Sequence, residues 1–329
     1  MEDGSRILVT GGCGSVGSSV VRHLLVQENS EICVLDNDEH ALFHMQREYE
    51  DESDRLDFVL ADVRNQSKLE RVLTDVDTVV HAAALKHVPM GEENPYESVR
   101  TNTVGTQHLI DAAENTGVTK VLGVSTDKAA QPTSVMGATK MLSERLLTAA
   151  DRQSTRTTYA SVRLGNVLGT SGSVVRIFEQ QIENGGPVTV THPEMSRFML
   201  PVSEAAEFIA TALDRMTSGE IFIPKMDAVR ILDLADVMIE QNTDGNVAAA
   251  DMDIDIVGIR PGERLYERLL TETEARTAIE LDESFVVTPR NDARNELVSD
   301  GGAGLSTPYH SGRAEHLSLE GIAELLEEA

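Results

Sequence analysis

Residues 6–26, RILVTGGCGSVGSSVVRHLLV, decide the fold. Arg6 to Thr10 is a short apolar run of the kind a buried strand carries, and Val20 to Val26 has the apolar periodicity of a helix. Between them lies Thr10-Gly11-Gly12-Cys13-Gly14-Ser15-Val16-Gly17, a G-x-x-G-x-x-G turn. Gly11 permits the tight turn, Gly14 lets the backbone approach a pyrophosphate, and Gly17 lets the helix pack close to the strand. Ser15 and Val16 open the helix, whose free N–H groups and positive dipole end suit phosphates. The glycines alone are a weak signal. Directly after a strand and before a helix, they make a dinucleotide-binding turn.

The chain continues in the same rhythm. Glu31 to Leu35 is a second strand that ends in Asp36, 19 residues beyond Gly17. An acid there accepts from the adenosine ribose hydroxyls and repels a 2′-phosphate, so the expected cofactor is NAD rather than NADP. Asp57 to Leu60 is a third strand, with Asp62 and Val63 at its carboxyl end. Thr78 to Ala82 is a fourth, running into Ala83 and Ala84; the three alanines Ala82, Ala83 and Ala84 suit a wall on which a cofactor lies flat. Pro95 to Thr116 reads as a long helix, Lys120 to Ser125 as a fifth strand, Met136 to Ala150 as a helix, and Thr157 to Leu164 as a sixth strand. Strands alternating with helices predict an α/β fold, a doubly wound parallel sheet of the Rossmann kind, over residues 1–165.

After Leu164 the pattern loosens. A loop follows, with Ser173 as an N-cap, then a short strand Val188 to Val190 and helices over Val202 to Met216 and Ile231 to Gln241. A further loop, Gly258 to Arg264, leads into Leu265 to Leu270. Residues 166–287 are expected to form a smaller C-terminal lobe interleaved with the last elements of the core. Residues 288–329 read as a polar surface tail closed by a short amphipathic helix, Leu319 to Glu328.

Composition narrows the class. The chain has 329 residues, 40% of them hydrophobic, enough for one large domain or a domain with a lobe. It has no apolar run of about 18 residues, and MEDGSRILVTGG has no leader character, so a soluble cytoplasmic protein without a membrane span is expected. Two cysteines, Cys13 and Cys33, make neither a disulfide framework nor a metal cluster. The net charge is −27, with the acids spread along the whole chain. Such self-repulsion is relieved by salt, which implies a salt-rich cytoplasm and a halophilic source. No basic stripe exists for nucleic acid.

The chemistry concentrates in residues 124–140, VSTDKAAQPTSVMGATK. Ser125 to Lys128 sits at the carboxyl end of the fifth strand, the edge where open α/β sheets bind ligands. Thr126, Asp127 and Lys128 bring a hydroxyl, a carboxyl and an amine together. On the following helix Met136 and Lys140 are four apart and share a face, with Lys140 directed at the cofactor. The basic residues include only six lysines, and two of them lie here.

The Thr10–Gly17 turn, the Asp62-Val63 pair, the alanine wall and the helical lysine resemble the extended short-chain dehydrogenase/reductase family. The longer runs HAAALKHVP (81–89), VSTDKAAQPTSVMGATK, VRLGNVLGTSGSV (162–174), THPEMSRFM (191–199) and GIRPGERLYERLL (258–270) are similar to one branch of it. That branch is the CapD-like UDP-N-acetylglucosamine 4,6-dehydratases of polysaccharide and glycan biosynthesis. The resemblance spans Ile7 to Leu270. One departure is Met136: the wider family has Tyr-x-x-x-Lys, and a thioether is no general base. The branch includes active members with methionine here, so the resemblance still implies catalysis and leaves the base at the sugar 4-hydroxyl open.

What the resemblance implies is a redox-neutral elimination. NAD takes hydride from C4, the 4-ketone acidifies the C5 proton, water leaves from C6, and hydride returns to C6. Asp127 is then expected as the acid and Lys128 as the base, each with its pKa moved toward neutrality, Asp127 up and Lys128 down. Thr126 and Lys140 would handle the 4-hydroxyl. Lys86, Arg197 and Arg260 are the expected diphosphate cations, Asn166 and Ser173 hydrogen-bond donors, and Glu263 an acceptor for the uridine ribose. The C-terminal lobe would hold the UDP-sugar, and helices Pro95–Thr116 and Met136–Ala150 would pair with their copies in a homo-oligomer. Two alternatives stay open: a UDP-sugar 4-epimerase, which needs no acid/base pair at C5 and C6, and a non-catalytic NAD-binding protein, which Met136 would suit.

Overall fold

The computed structural model describes every residue except 1–3, 28–29, 53, 171, 244–251, 261, 290, 300, 306 and 329. Ser171 and Pro261, within two of the quoted runs, therefore lie outside the described residues. Six parallel strands form the centre: β1 (Arg6–Thr10), β2 (Glu31–Asp36), β3 (Leu56–Leu60), β4 (Thr78–His81), β5 (Lys120–Thr126) and β6 (Thr158–Leu164). Their order is β3-β2-β1-β4-β5-β6, within a sheet of ten strands. Ile7, Leu8 and Val9 are completely buried, as a strand covered on both faces must be, which explains its unbroken apolar run. The chain reverses its direction across the sheet between β1 and β4, and a crevice opens at the carboxyl edge there.

Helices cover both faces. Ser15–Val26 and Val202–Arg215 pack together on one side, while Gln66–Val72, Gly105–Glu114 and Val135–Gln153 pack on the other. The long helix expected over Pro95 to Thr116 is present in three parts: α-helix over Pro95–Ser98, π-helix over Val99–Val104, and α-helix over Gly105–Glu114. The π segment contains Asn102, whose buried amide reaches across to the alanine wall.

The lobe has its own apolar core, built around Phe178, Met195, Leu234 and Ile322. A three-stranded sheet, Asn166–Val167, Ser196–Leu200 and Asp227–Arg230, joins it to the central domain. Residues 288–316, read from sequence as a surface tail, are tied into the body instead. Ala303–Gly304 pairs with Ala278–Glu280, and Tyr309–His310 pairs with Arg268–Leu270. The Tyr309 hydroxyl donates to the Met226 carbonyl at 2.8 Å, and its ring sits 4.5 Å from that of Phe198. Ser311 is fully buried. Two-residue strands are too short to show any periodicity, which is why the stretch looks structureless in sequence. The closing helix, Leu319–Glu327, buries Ile322 and Leu325 against Ile231–Thr243.

A buried ion cluster fastens β6 to its neighbours. Arg163 is 1% exposed and bonds Glu144 of helix Val135–Gln153 at 2.7 Å, Glu274 at 2.8 Å, and the Leu269 carbonyl at 2.8 Å. Removing one member of such a cluster strands the others in a medium that cannot solvate them. Arg163→Ala should therefore lower the unfolding free energy by about 3–5 kcal/mol, measured by urea unfolding at constant salt.

Candidate active site

The carboxyl ends of β1, β2 and β4 open into a cavity of about 760 Å³. Gly11, Gly14, Ser15, Val16 and Gly17 form its floor; Asp36, Asp62 and Val63 line one end, and Ala82, Ala83 and Ala84 one wall. Gly11 has φ +64°, and a Cβ there would lie 2.7 Å from the Ala83 Cα. A Cβ on Gly17 would lie 2.2 Å from the Gly11 carbonyl oxygen. Side chains are thus excluded from the turn by backbone on both sides. The Asp36 carboxylate accepts from the backbone N–H groups of Cys13 (3.1 Å), Asn37 (2.8 Å) and Asp38 (3.1 Å), which ties the end of β2 to the glycine turn.

Residues that the sequence did not single out hold the alanine wall from behind. The Asn102 amide donates to the Leu85 carbonyl and accepts from its N–H. His81 bridges Thr10 (2.7 Å) and Thr106 (3.1 Å); burial, with the charge of Lys140, pushes its pKa down to about 3, so the ring is neutral. At the far end Arg64 binds both Asp62 and Glu97, and its hydrogen bonds hold the Asp62 carboxyl below the usual range.

The organising stretch closes the other side. Thr126 ends β5 and caps the short helix Asp127–Ala130. The Asp127 side chain is wholly buried. Its Oδ1 accepts from the Thr126 hydroxyl at 2.8 Å and from Lys128 Nζ at 2.9 Å, while its Oδ2 has no hydrogen-bond partner. Lys128 Nζ also donates to Asn166 Oδ1 at 3.2 Å and lies 3.8 Å from Glu267 Oε1. The expected downward pKa of Lys128 is corrected here. Burial does pull it down, but the Asp127 and Glu267 carboxylates outweigh that, and its pKa lies above the ordinary lysine value.

Met136 is buried, packed near Gly91. One turn on, Lys140 is 7% exposed, makes no hydrogen bond among the described residues, and is pushed down to about 8 by burial, partly offset by Glu144. Lys86 lines the same cavity as the glycine turn. Ser173 caps helix Val174–Glu183, its hydroxyl accepting from the Arg176 N–H. Arg260 and Glu263 form one exposed turn, closed by Arg260 N–H to Glu263 Oε2 at 3.0 Å. That loop leans on the organising stretch through Thr133 Oγ1 to the Gly262 carbonyl, 3.0 Å. Arg197, expected at the diphosphate, is turned inward: its guanidinium donates to the Ser196 and Leu265 carbonyls, and its Nε lies 3.8 Å from Glu267 Oε1. Glu267 was missed from sequence, since one more acid in an acidic chain carries no signal. Arg264 was missed too; it reaches Gln131 at 3.1 Å.

Residues 7–289 match the family described as "Polysaccharide biosynthesis protein". The chain belongs to that family. Its sheet order and glycine turn make it an extended short-chain dehydrogenase/reductase. A protein of Methanocaldococcus jannaschii named as the uncharacterized membrane protein MJ1061 is 44% identical over 325 residues, 98% of this chain and 95% of that one. A Campylobacter jejuni protein named as an inverting UDP-N-acetylglucosamine 4,6-dehydratase is 35% identical over 293 residues, 88% of this chain and 84% of that one. The solved structure of Pen from Bacillus thuringiensis matches with a TM-score of 0.91 at 34% identity, over 99% of this chain and 98% of that one. The chain's relatives thus include nucleotide-sugar dehydratases and epimerases. Among the described residues no helix is long and apolar enough to cross a membrane.

Lys140 has a measurable consequence. Its folded pKa, about 8, lies below the ordinary 10.5, so the native state holds that proton more weakly than the unfolded chain. This group's contribution to stability therefore rises as pH climbs between those two values, and below pH 8 its full cost is present. Lys140→Met should raise the unfolding free energy at pH 7 by about 3 kcal/mol and abolish the rise in that window, as read by urea unfolding at several pH values.

Proposed function

We propose that this chain is an NAD-dependent nucleotide-sugar 4,6-dehydratase acting on UDP-N-acetylglucosamine to give a UDP-4-keto-6-deoxy sugar for glycan or polysaccharide biosynthesis. The observation that carries this is Asp127 Oδ2: a buried carboxylate oxygen without a partner, on a residue whose other oxygen is bonded to Lys128. The cavity suits a dinucleotide, because its lining includes the glycine turn, where a Cβ on Gly11 or Gly17 would strike neighbouring backbone, and the Asp36 carboxylate for a ribose. NAD bound there supplies reversible hydride transfer, from C4 and back to C6.

The protein's own groups manage the protons. In the resting site the shared proton is on Lys128, the residue whose pKa is raised. Moving it to Asp127 across the 2.9 Å contact leaves a neutral amine and a carboxylic acid side by side. The amine takes the C5 proton, the acid protonates the departing C6 hydroxyl, and the pair returns to ammonium and carboxylate. One elimination thus ends with the protons where they began. With Met136 unable to accept a proton, Thr126 and Lys140 attend the 4-hydroxyl, and Lys140, with a pKa of about 8, can exchange a proton near neutrality. Lys86 and Arg260 serve the diphosphate, with Ser173, Asn166 and Glu263 around the nucleotide sugar. Exposed Tyr96, Val104 and Leu142 on the two helices named above support pairing of two copies.

The purified protein, incubated in molar potassium chloride with UDP-N-acetylglucosamine, should yield a product lighter by one water, with no net NADH. Lys128→Ala should cut that turnover by about 10²–10⁴-fold. Unchanged mass with a 4-epimer visible by NMR would make the protein an epimerase. Neither product, from folded and NAD-loaded protein, would overturn the dehydratase reading.

A further inference from the structure

Glu267 is a buried acid to which no catalytic step above assigns a role. Its side chain is 7% exposed, and Oε1 lies 3.8 Å from both Lys128 Nζ and Arg197 Nε. It is fixed by backbone on either side. Its own N–H donates to Ser311 Oγ at 3.1 Å, and its carbonyl accepts from the Ser311 N–H at 3.0 Å. Ser311 in turn bonds Ser196, the neighbour of Arg197. A short strand, a residue near the end of the chain and a buried arginine therefore converge on one carboxylate. Nothing about folding alone requires an acid here, since a buried carboxylate costs more than it returns unless its charge is used.

We propose that Glu267 is a positioning residue for the Asp127–Lys128 pair: held by Arg197, it gives Lys128 a second carboxylate anchor and leaves Asp127 Oδ2 to the substrate. The charged groups facing Lys128 are Asp127, Glu267 and Arg197, and Glu267 itself also feels Arg264. Two acids and one base act on the amine, so their sum makes it a stronger base than an ordinary lysine. That is the property needed to remove a proton from carbon. Removing the Glu267 charge weakens the base while leaving the Asp127 hydrogen bond in place. The inference rests on the dehydratase reading only for its turnover arm.

The chain has six lysines, so competitive amine labelling across pH, read peptide by peptide by mass spectrometry, follows Lys128 without any turnover. Glu267→Gln should move the Lys128 labelling midpoint down by about one pH unit and leave that of Lys140 in place. Glu267→Asp, which keeps the charge, should give a smaller shift. In turnover, the alkaline limb of kcat should move down with the midpoint, and kcat should fall by about tenfold with KM within about twofold. An unmoved Lys128 midpoint in both variants overturns the proposal, whatever the substrate. A higher KM with an unmoved alkaline limb also overturns it and assigns Glu267 to substrate binding. If the wild type does not dehydrate the sugar, the labelling result still decides the role of Glu267 while the dehydratase reading fails alone.

Discussion

Inward-facing cations in a strongly acidic chain organise this structure. With a net charge of −27 the surface has acids to spare, yet Lys128, Lys140, Arg163 and Arg197 are all carried inside or at the edge of the interior. Each lies within reach of a carboxylate: Asp127 and Glu267 for Lys128, Glu144 for Lys140, Glu144 and Glu274 for Arg163, Glu267 for Arg197. Glu144 and Glu267 each serve two cations, so the pairs form clusters rather than isolated bridges. The cluster at Arg163 binds sheet to helix; the cluster at Glu267 places a second carboxylate within 3.8 Å of Lys128 Nζ. Lys140 is the exception. It makes no hydrogen bond among the described residues and has a lowered pKa, the condition of a group kept for a ligand.

Support for the reactive pair comes from far along the chain. Asp127 and Lys128 open the short helix after β5, but further groups that bear on Lys128 come from Asn166 and Glu267, and Ser311 fixes Glu267 in turn. The C-terminal segment therefore bears on the pair through Ser311, which fixes Glu267. Open α/β sheets provide the crevice; a second, smaller layer must supply whatever closes it.

Met136 shows how the local environment bears on a missing catalytic group. Met136 is buried beside Gly91, which lines the cavity, and its thioether cannot accept a proton as a tyrosine oxygen could. An unpaired lysine with a pKa of about 8 is a better proton carrier than one held by a salt bridge.

Much of this was legible in the linear sequence. The glycine turn, the alternating strands and helices, Asp36 at the end of β2, the alanine wall and the adjacent Asp127 and Lys128 follow from short-range patterns, because backbone sterics and period act over a few residues. The tertiary structure alone decided the rest. It turned Arg197 inward, brought Glu267 to Lys128, folded residues 288–316 into the body, and raised the pKa of Lys128 where burial by itself would have lowered it. Charge state depends on the sum of fields from groups more than a hundred residues apart, and no local pattern encodes that sum.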